Sequence, residues 1–530
     1  MNLKELVKNS LEDKLLKLHE VELDVGLEKF ITMNGMEEAI NKLIKHINNK
    51  NKIRIVGDYD SDGIMATVTM ISFFQKHPEL KNVDISYFIP DRMIHGYGVS
   101  PLIIEEAKND GIDLIITVDN GIAAIDAINR ANELNVDVII TDHHTPPKIL
   151  PNIDTIINPK AINDLSFQEI SGATVAYCFC NALNRKLNIQ IDMEEFLDLP
   201  ALTVLSDVMP LEDVNRSLLI SGFKSIQRND REIYSKVFTN EQRNNLTTND
   251  ISFNLVPKIN ATGRLANANL GVKMFLENEV DSVLAQIENI NETRKDVTQE
   301  SLLKIIDDAT IKNEKYNCIV VYKEGLHEGV VGILASRLVE AFNKPTFVLT
   351  DSHGMAKGSA RSLGTINVYD LLTKQNHLLV KFGGHAGAAG LSLKVENINE
   401  LQELMHQDLV ENFTEEDYVN KIEYFEISKL NELDLELTEL LQSYEPYGAK
   451  FEKPLFKIKV KLESIDKNKE NKHYFCTIKD KLFTKKQVWF FHCSENMENY
   501  LGQTLEIYID TSFNYFQGRK NISLIGKLIK

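Results

Sequence analysis

Cysteine is scarce in this 530-residue chain: Cys178, Cys180, Cys318, Cys476 and Cys493 are all there are, and no two form a CxxC pair. That argues against a thiolate zinc site, which needs soft ligands at short spacing, and leaves buried free thiols as the expectation. Positive charge is also short. Lys and Arg number 59 against 77 Asp and Glu, a net charge of -18, which excludes a protein that coats nucleic acid by bulk charge and leaves room only for a local basic groove. No apolar run approaches a membrane span. The opening MNLKELVKNSLEDKLLKL mixes charges through an amphipathic pattern where a signal peptide needs an apolar core. A cytoplasmic protein with no membrane partner is expected.

What is present is apolar patterning sufficient for several cores. At this length two to four domains are expected, and 43% hydrophobic with 26% charged residues is the balance of a folded globular chain. The first 160 residues alternate short β-branched runs, IRIVG (53–57), LIITV (114–118) and VIIT (138–141), with segments of helical spacing. Continuous apolar runs suit strands covered on both faces, so an α/β fold with a parallel sheet is predicted. Each run ends in acid: the first leads to Asp58, Asp60 and Asp62, the second to Asp119, the third to Asp142, His143 and His144. The carboxyl ends of neighbouring parallel strands converge on one crevice, so these side chains are expected to meet. Each acid alone reads as a helix cap or a solvated loop charge. Together they would repel one another unless cations sit among them, and hard oxygens with one or two imidazoles suit Mn²⁺ or Mg²⁺.

The segments VGDYDSDG (56–63), TVDNGI (117–122), TDHH (141–144) and LSDVMPL (205–211) resemble the four successive motifs of the DHH phosphoesterase superfamily. IPDRMIHGYG (89–98), VPKINATGRL (256–265), LHEGVVGILASRLVE (326–340), GSARS (358–362) and GGHAGAAG (383–390) narrow the resemblance to RecJ-type single-stranded-DNA exonucleases, over roughly residues 30–530. The resemblance implies two metal ions, with Asp60 and Asp62 on different ions, Asp119 bridging them, and His143 and Asp207 completing the second. Some members place a histidine where this chain has Val56, so Asp58 or water completes the first ion. LTVLSD also departs from the Gly-Thr pair that often precedes the acid at 207. His144 then faces the substrate phosphate, and Asp142 orients the histidines.

Beyond residue 280 a long, weakly apolar helical segment should bridge domains. The stretch from 316 to about 412 resembles the DHH-associated α/β domain. There GGHAGAAG is either a tight turn or a surface whose amides approach phosphate, with Ser359, Arg361, Gly384, His385 and Gly387, together with Arg264, gripping substrate. From 451 onward, 15 Lys and Arg face 9 Asp and Glu, net +6, which leaves -24 on the remainder. Short alternating runs there predict an OB-like barrel. Tyr474, Phe475, Phe483, Trp489, Phe490 and Phe516 are candidates for base stacking, although strand alternation favours Trp489 as core. The expected division is 1–240 (DHH domain), 241–312 (connector with long helix), 313–412 (DHH-associated domain) and 413–530 (OB-like domain). The expected activity is metal-dependent 5′-to-3′ hydrolysis of single-stranded DNA in repair or recombination, by a monomer working with a helicase or single-strand-binding protein. A phosphodiesterase for short oligonucleotides or dinucleotides and a non-catalytic scaffold are the alternatives.

Overall fold

The computed structural model describes residues 2–529 except 93, 162–164, 229–230, 278–279, 353, 421, 469–472, 492–495 and 517–518, and the backbone alone of 467, 468, 516 and 519. Cys493 and the Phe516 side chain therefore lie outside the described residues. The chain divides into two compact units, Met1–Glu288 with Tyr424–Lys530, and Asn289–Glu423.

The first unit holds a five-stranded sheet of β1 (Ile53–Val56), β2 (Ile85–Phe88), β3 (Leu114–Val118), β4 (Asp137–Thr141) and β5 (Ile156–Ile157), in the order β2-β1-β3-β4-β5 and parallel throughout. Alternate residues feed two cores. Ile53, Ile55, Leu114, Ile116, Val118 and Ile139 face one, while Val56, Ile115, Val138 and Ile140 face the other, so the runs carry no polar alternation. The helix Ser61–Lys76 covers the first face and packs along the helix Gly172–Leu187. The segment after β3 turns helical only at Ile125, because Asp119 (φ 60°) and Gly121 (φ 113°) first make a left-handed turn.

In the second unit the helix Val280–Lys315 leads into β6 (Ile319–Tyr322), β7 (Thr346–Ser352), β8 (Met355–Arg361), β9 (Leu379–His385) and β10 (Ala388–Leu393). Their order is β6-β7-β8-β10-β9; only β6 and β7 are parallel. Ala356, Ala360, Ala389 and Leu391 enter this unit's own core.

The chain returns to the first unit through β11 (Tyr424–Glu426) and β12 (Leu455–Asn468), β13 (His473–Lys479), β14 (Lys485–Phe490), β15 (Thr504–Phe516) and β16 (Arg519–Leu528). β15 pairs with both β16 and β12, which closes a five-stranded OB-like barrel in the order β12-β13-β14-β16-β15. Its inward residues, among them Phe456, Tyr474, Phe490 and Ile507, belong to the same apolar core as the helices around the parallel sheet. Arg216 fastens the two, donating to the Tyr444 carbonyl at 3.0 Å with its guanidinium 5.2 Å from the Phe451 ring. Cys178, Cys180 and Cys318 are buried and in no disulfide, and Cys476 is buried in the barrel. The expectation for Trp489 is corrected: Val488 and Phe490 take the inward positions, so strand parity turns Trp489 to the half-buried outer face.

Candidate metal centre

Register explains why the acids meet. Val56 pairs with Thr117 and Val118 with Thr141, so the three strands stop level and the residues after them share one edge. Asp58 follows β1, Asp119 follows β3, and Asp142 and His143 follow β4. Asn120 braces this edge: its amide donates to the carbonyls of Val56 (3.0 Å) and Val118 (2.9 Å). Asp60 is the N-cap of the helix Ser61–Lys76, its Oδ1 accepting from the amides of Asp62 (3.0 Å) and Gly63 (3.2 Å). The capping reading and the ligand reading are therefore compatible, because Oδ2 is left over. Asp62 lies on that helix and takes the amides of Gly172 (2.6 Å) and Ala173 (2.8 Å) at the start of the facing helix. Asp207 comes from elsewhere, as the C-cap of the helix Asp198–Ser206.

Two donor sets result, Asp58, Asp60 and Asp119 in one and Asp62, His143 and Asp207 in the other. They adjoin at Asp119, whose Oδ1 is 3.1 Å from His143 Nε2; the same nitrogen lies 3.4 Å from Asp62 Oδ2 and 3.6 Å from Asp207 Oδ2. A third grouping would replace these with Asp119, His143 and His144. Both carboxylate oxygens of Asp58 and Oδ1 of Asp119 are buried and accept no hydrogen bond among the described residues. Anionic oxygens without donors are costly in a protein interior, and an oxygen-rich set with one imidazole fits Mn²⁺ or Mg²⁺. Burial followed by the charge of Asp60 pushes Asp58 well up and Asp62 up to about 6; burial and then Asp62 do the same to Asp119 and Asp207. A cation reverses this by supplying the missing positive charge.

His144 has a different setting. Its Nδ1 donates to Asp142 Oδ1 at 2.8 Å and its Nε2 is 3.1 Å from the Tyr97 hydroxyl, so both nitrogens are engaged. Burial would lower its pKa, but the bond to Asp142 and the surrounding carboxylates raise it to about 9. Asp142 in turn accepts the amides of Ile122 (2.9 Å), His143 (2.7 Å) and His144 (3.0 Å). Burial alone would raise Asp142; the His144 bond, both imidazoles and the Ile122 amide hold it at about 2. Both of its oxygens are taken up by these bonds.

Tyr97 was not singled out from the sequence, nor was Arg92, whose guanidinium lies 4.9 Å from the Tyr59 ring, itself edge-on to Tyr97. The segment IPDRMIHGYG contains both, but its spacing names no partner. Gly172 was missed too: a Cβ there would lie 2.6 Å from Asp119 Cβ.

The remaining candidates divide between the units. Arg264 ends the helix Val256–Leu265 in the first unit, where its charge is felt by Tyr59. Ser359, Arg361 and His385 share one face of the second sheet, Arg361 and His385 both opposite Ala388, and Arg361 donates to Ser359 Oγ at 2.6 Å. A Cβ on Gly332 would meet Arg361 at 2.8 Å, so glycine there makes room for the guanidinium. GGHAGAAG forms the tip of the β9–β10 hairpin, leaving Gly384, His385 and Gly387 exposed and no atom within 4 Å of a Cβ at Gly383 or Gly387.

Three family models match in order: the DHH family N-terminal domain over 52–204, the DHHA1 domain over 315–411 and the RecJ OB domain over 427–527. The chain is 32% identical over 506 residues to the single-stranded-DNA-specific exonuclease RecJ of Bacillus subtilis, covering 93% of this chain and 63% of that relative's length. It is 33% identical over 482 residues to the Haemophilus influenzae RecJ, covering 85% of this chain and 83% of that relative. A crystal structure of Thermus thermophilus RecJ in complex with Mn²⁺ superposes with a TM-score of 0.76 at 25% identity, over 94% of this chain and 72% of that one. With the acidic edge, the DHHA1 match and the closed barrel all in the same order along the sequence, the chain belongs to the RecJ family of single-stranded-DNA-specific exonucleases.

Proposed function

We propose that this chain hydrolyses single-stranded DNA from the 5′ end to mononucleotides, in DNA repair or recombination. The observation that supports this most directly is the pair of donor sets adjoining at Asp119, which include buried oxygens of Asp58 and Asp119 that accept no hydrogen bond among the described residues. In this reading Asp58, Asp60 and Asp119 would hold one ion and Asp62, His143 and Asp207 the other, with Asp119 next to both sets. When bound there, Mn²⁺ or Mg²⁺ would supply the charge that makes water nucleophilic near neutral pH and stabilises a departing oxygen. The rest is done by side chains. His144, its Nδ1 held by Asp142, offers its exposed edge to the phosphate and offsets charge that develops in the transition state. Asp142 and Tyr97 fix its ring. Arg264 in the first unit and Ser359, Arg361, Gly384, His385 and Gly387 in the second grip the strand.

The same reading assigns metal chemistry to 1–240, the connector to 241–312, substrate gripping to 313–412 and strand tracking to 413–530. It has the chain act in the cytoplasm as a monomer, on strands supplied by a helicase or a single-strand-binding protein. Among the described residues no helix is long and apolar enough to cross a membrane.

The test is digestion of end-labelled strands with Mn²⁺, Mg²⁺ or chelator, beside a dinucleotide. Release of 5′-labelled mononucleotide first, only with metal and faster from the long strand, is expected. Retention of the 5′ label would reverse the polarity, and preference for the dinucleotide would replace the substrate.

A further inference from the structure

The helix Val256–Leu265 carries Arg264 near its end, and one turn earlier on the same face it carries a second polar side chain, Asn260. Asn260 reaches the acidic loop itself. Its Oδ1 accepts the Ser61 amide at 3.0 Å, and Ser61, 2% exposed, is the first residue of the helix Ser61–Lys76. The first amides of a helix have no partner inside it and need a cap. Asp60 takes those of Asp62 and Gly63, so Asn260 takes the one that Asp60 leaves. The loop is also pressed from both sides. A Cβ on Gly263 would lie 1.9 Å from the Tyr59 carbonyl oxygen, and one on Gly63 would lie 2.4 Å from the Asp58 nitrogen. Asp58, Tyr59 and Asp60 therefore run through a slot between two helices, with the Asn260 side chain bridging from one to the other.

The consequence falls on the acids. Asp58, Asp60 and Asp119 bring their ligand oxygens within 4.8 Å of one another, an arrangement that repels itself when no cation is present. Such a loop spreads unless something outside it holds it closed. We propose that Asn260 is a positioning residue for this donor set: by holding the Ser61 amide it keeps Asp58 and Asp60 converged on Asp119 before an ion arrives. The inference rests on the two-ion reading above and adds to it a residue that acts through the ligands and not on the strand. Groups standing behind metal ligands set their direction, and losing one typically weakens metal binding about 10–100-fold. The same helix delivers Arg264 four residues on, so a retreat from the slot would displace a strand-gripping residue together with the acids.

Because the role uses only the acceptor, substitutions separate it by chemistry. Asn260→Leu keeps the shape and loses the acceptor, whereas Asn260→Asp keeps both. Mn²⁺ binding to the full chain is measured by calorimetry well below the thermal transition, beside hydrolysis of a single strand at limiting and saturating Mn²⁺. Asn260→Leu should bind Mn²⁺ about tenfold more weakly, and excess Mn²⁺ should restore part of its rate. Asn260→Asp should recover most of the lost affinity, with KM for the strand close to that of the unsubstituted protein. Asn260→Ala is the second variant in case the leucine form does not fold. A folded variant without the acceptor that melts lower yet binds Mn²⁺ as tightly would reduce Asn260 to a helix cap and overturn the proposal. So would an aspartate form as weak for Mn²⁺ as the leucine form, or one that keeps Mn²⁺ and loses only KM, which would put the Asn260 Nδ2 on a strand phosphate. An unsubstituted chain that binds no Mn²⁺ would sink the two-ion reading and this inference with it, whereas a failure confined to the variants sinks the inference alone.

Discussion

Replacing Asp119 by Asn separates the metal requirement of the site from its contribution to folding. Asp119 is buried, its Oδ1 accepts no hydrogen bond among the described residues, and burial with the charges of Asp62, Asp60, Asp207 and Asp58 pushes its pKa well up. Asparagine keeps the shape and tolerates the left-handed backbone, φ 60°, that alanine would resist. In the absence of metal the substitution removes a buried acid crowded by four other carboxylates, a defect worth about 1–3 kcal/mol. Asp119→Asn should therefore melt above the unsubstituted protein in chelator. At about 2–4 °C per kcal/mol for a domain of ordinary size, the rise should be a few degrees.

Metal should invert the order. A cation present at about 100 times its dissociation constant stabilises by about 2.7 kcal/mol per site, and on the proposed ligand assignment the variant should gain less than half of that because the side chain next to both donor sets has lost its charge. Hydrolysis of single strands should fall by roughly three orders of magnitude, about 4 kcal/mol of transition-state stabilisation. The assay is calorimetry with chelator and with Mn²⁺, beside a single-turnover assay. A variant that melts lower in chelator, gains as much from Mn²⁺, or cuts at a near-normal rate would refute the reasoning.

His143→Ala should be partly rescued by excess Mn²⁺, since its ring sits among three carboxylates, whereas His144→Ala should not; equal rescue in the activity assay would remove the distinction between the rings. Gly172→Ala should weaken Mn²⁺ binding by calorimetry, because a Cβ would stand 2.7 Å from Asp119 Oδ1, and should cost stability despite the higher helix propensity of alanine, roughly 1 kcal/mol. The pH dependence has a definite sign. Asp62 is raised to about 6 by burial and Asp60, above its unfolded value, so its contribution to stability is present below the unfolded pKa and lost as pH rises through about 6. Chelated protein should therefore gain thermal stability between pH 7.5 and about 5.5, and Mn²⁺ should flatten that slope; a chelated protein that loses stability over the same interval would contradict it.

The parallel sheet was legible because β1, β3 and β4 are buried on both faces, which forces continuous β-branched runs. β2 was not, because ISYF is half-buried along its whole length and carries no such run. The acids at 58, 119 and 142 were legible for a geometric reason: strands in level register must end together. Asp207 has no such reason. It caps a helix that no sheet register places, and only resemblance brought it to the site. Gly172 and Tyr97 were invisible for a related cause, since each matters through a contact with a residue distant in sequence, Asp119 or His144, that spacing does not encode.

The barrel shows the limit most clearly. Tyr474 and Phe475 are adjacent, as are Trp489 and Phe490, so each strand carries one ring inward and one outward whichever parity it takes. The rings alone do not distinguish the two registers, and a shift of one residue would exchange core and surface. What decides is closure: β15 pairing with β12 fixes Ile507 and Ile509 inside, and the cavity they bound accepts Tyr474 and Phe490 together with Cys476 and Val488. Had parity gone the other way, Thr477, Gln487, Lys479 and Lys485 would have been buried with the rings, and desolvating two ammonium groups would cost far more than any gain from placing Trp489 in the core. Lys479 and Lys485 thus favour the same parity that closure sets. The outward rings and the basic charge share a face because the same alternation that keeps lysine in water keeps Phe475 and Trp489 there with it.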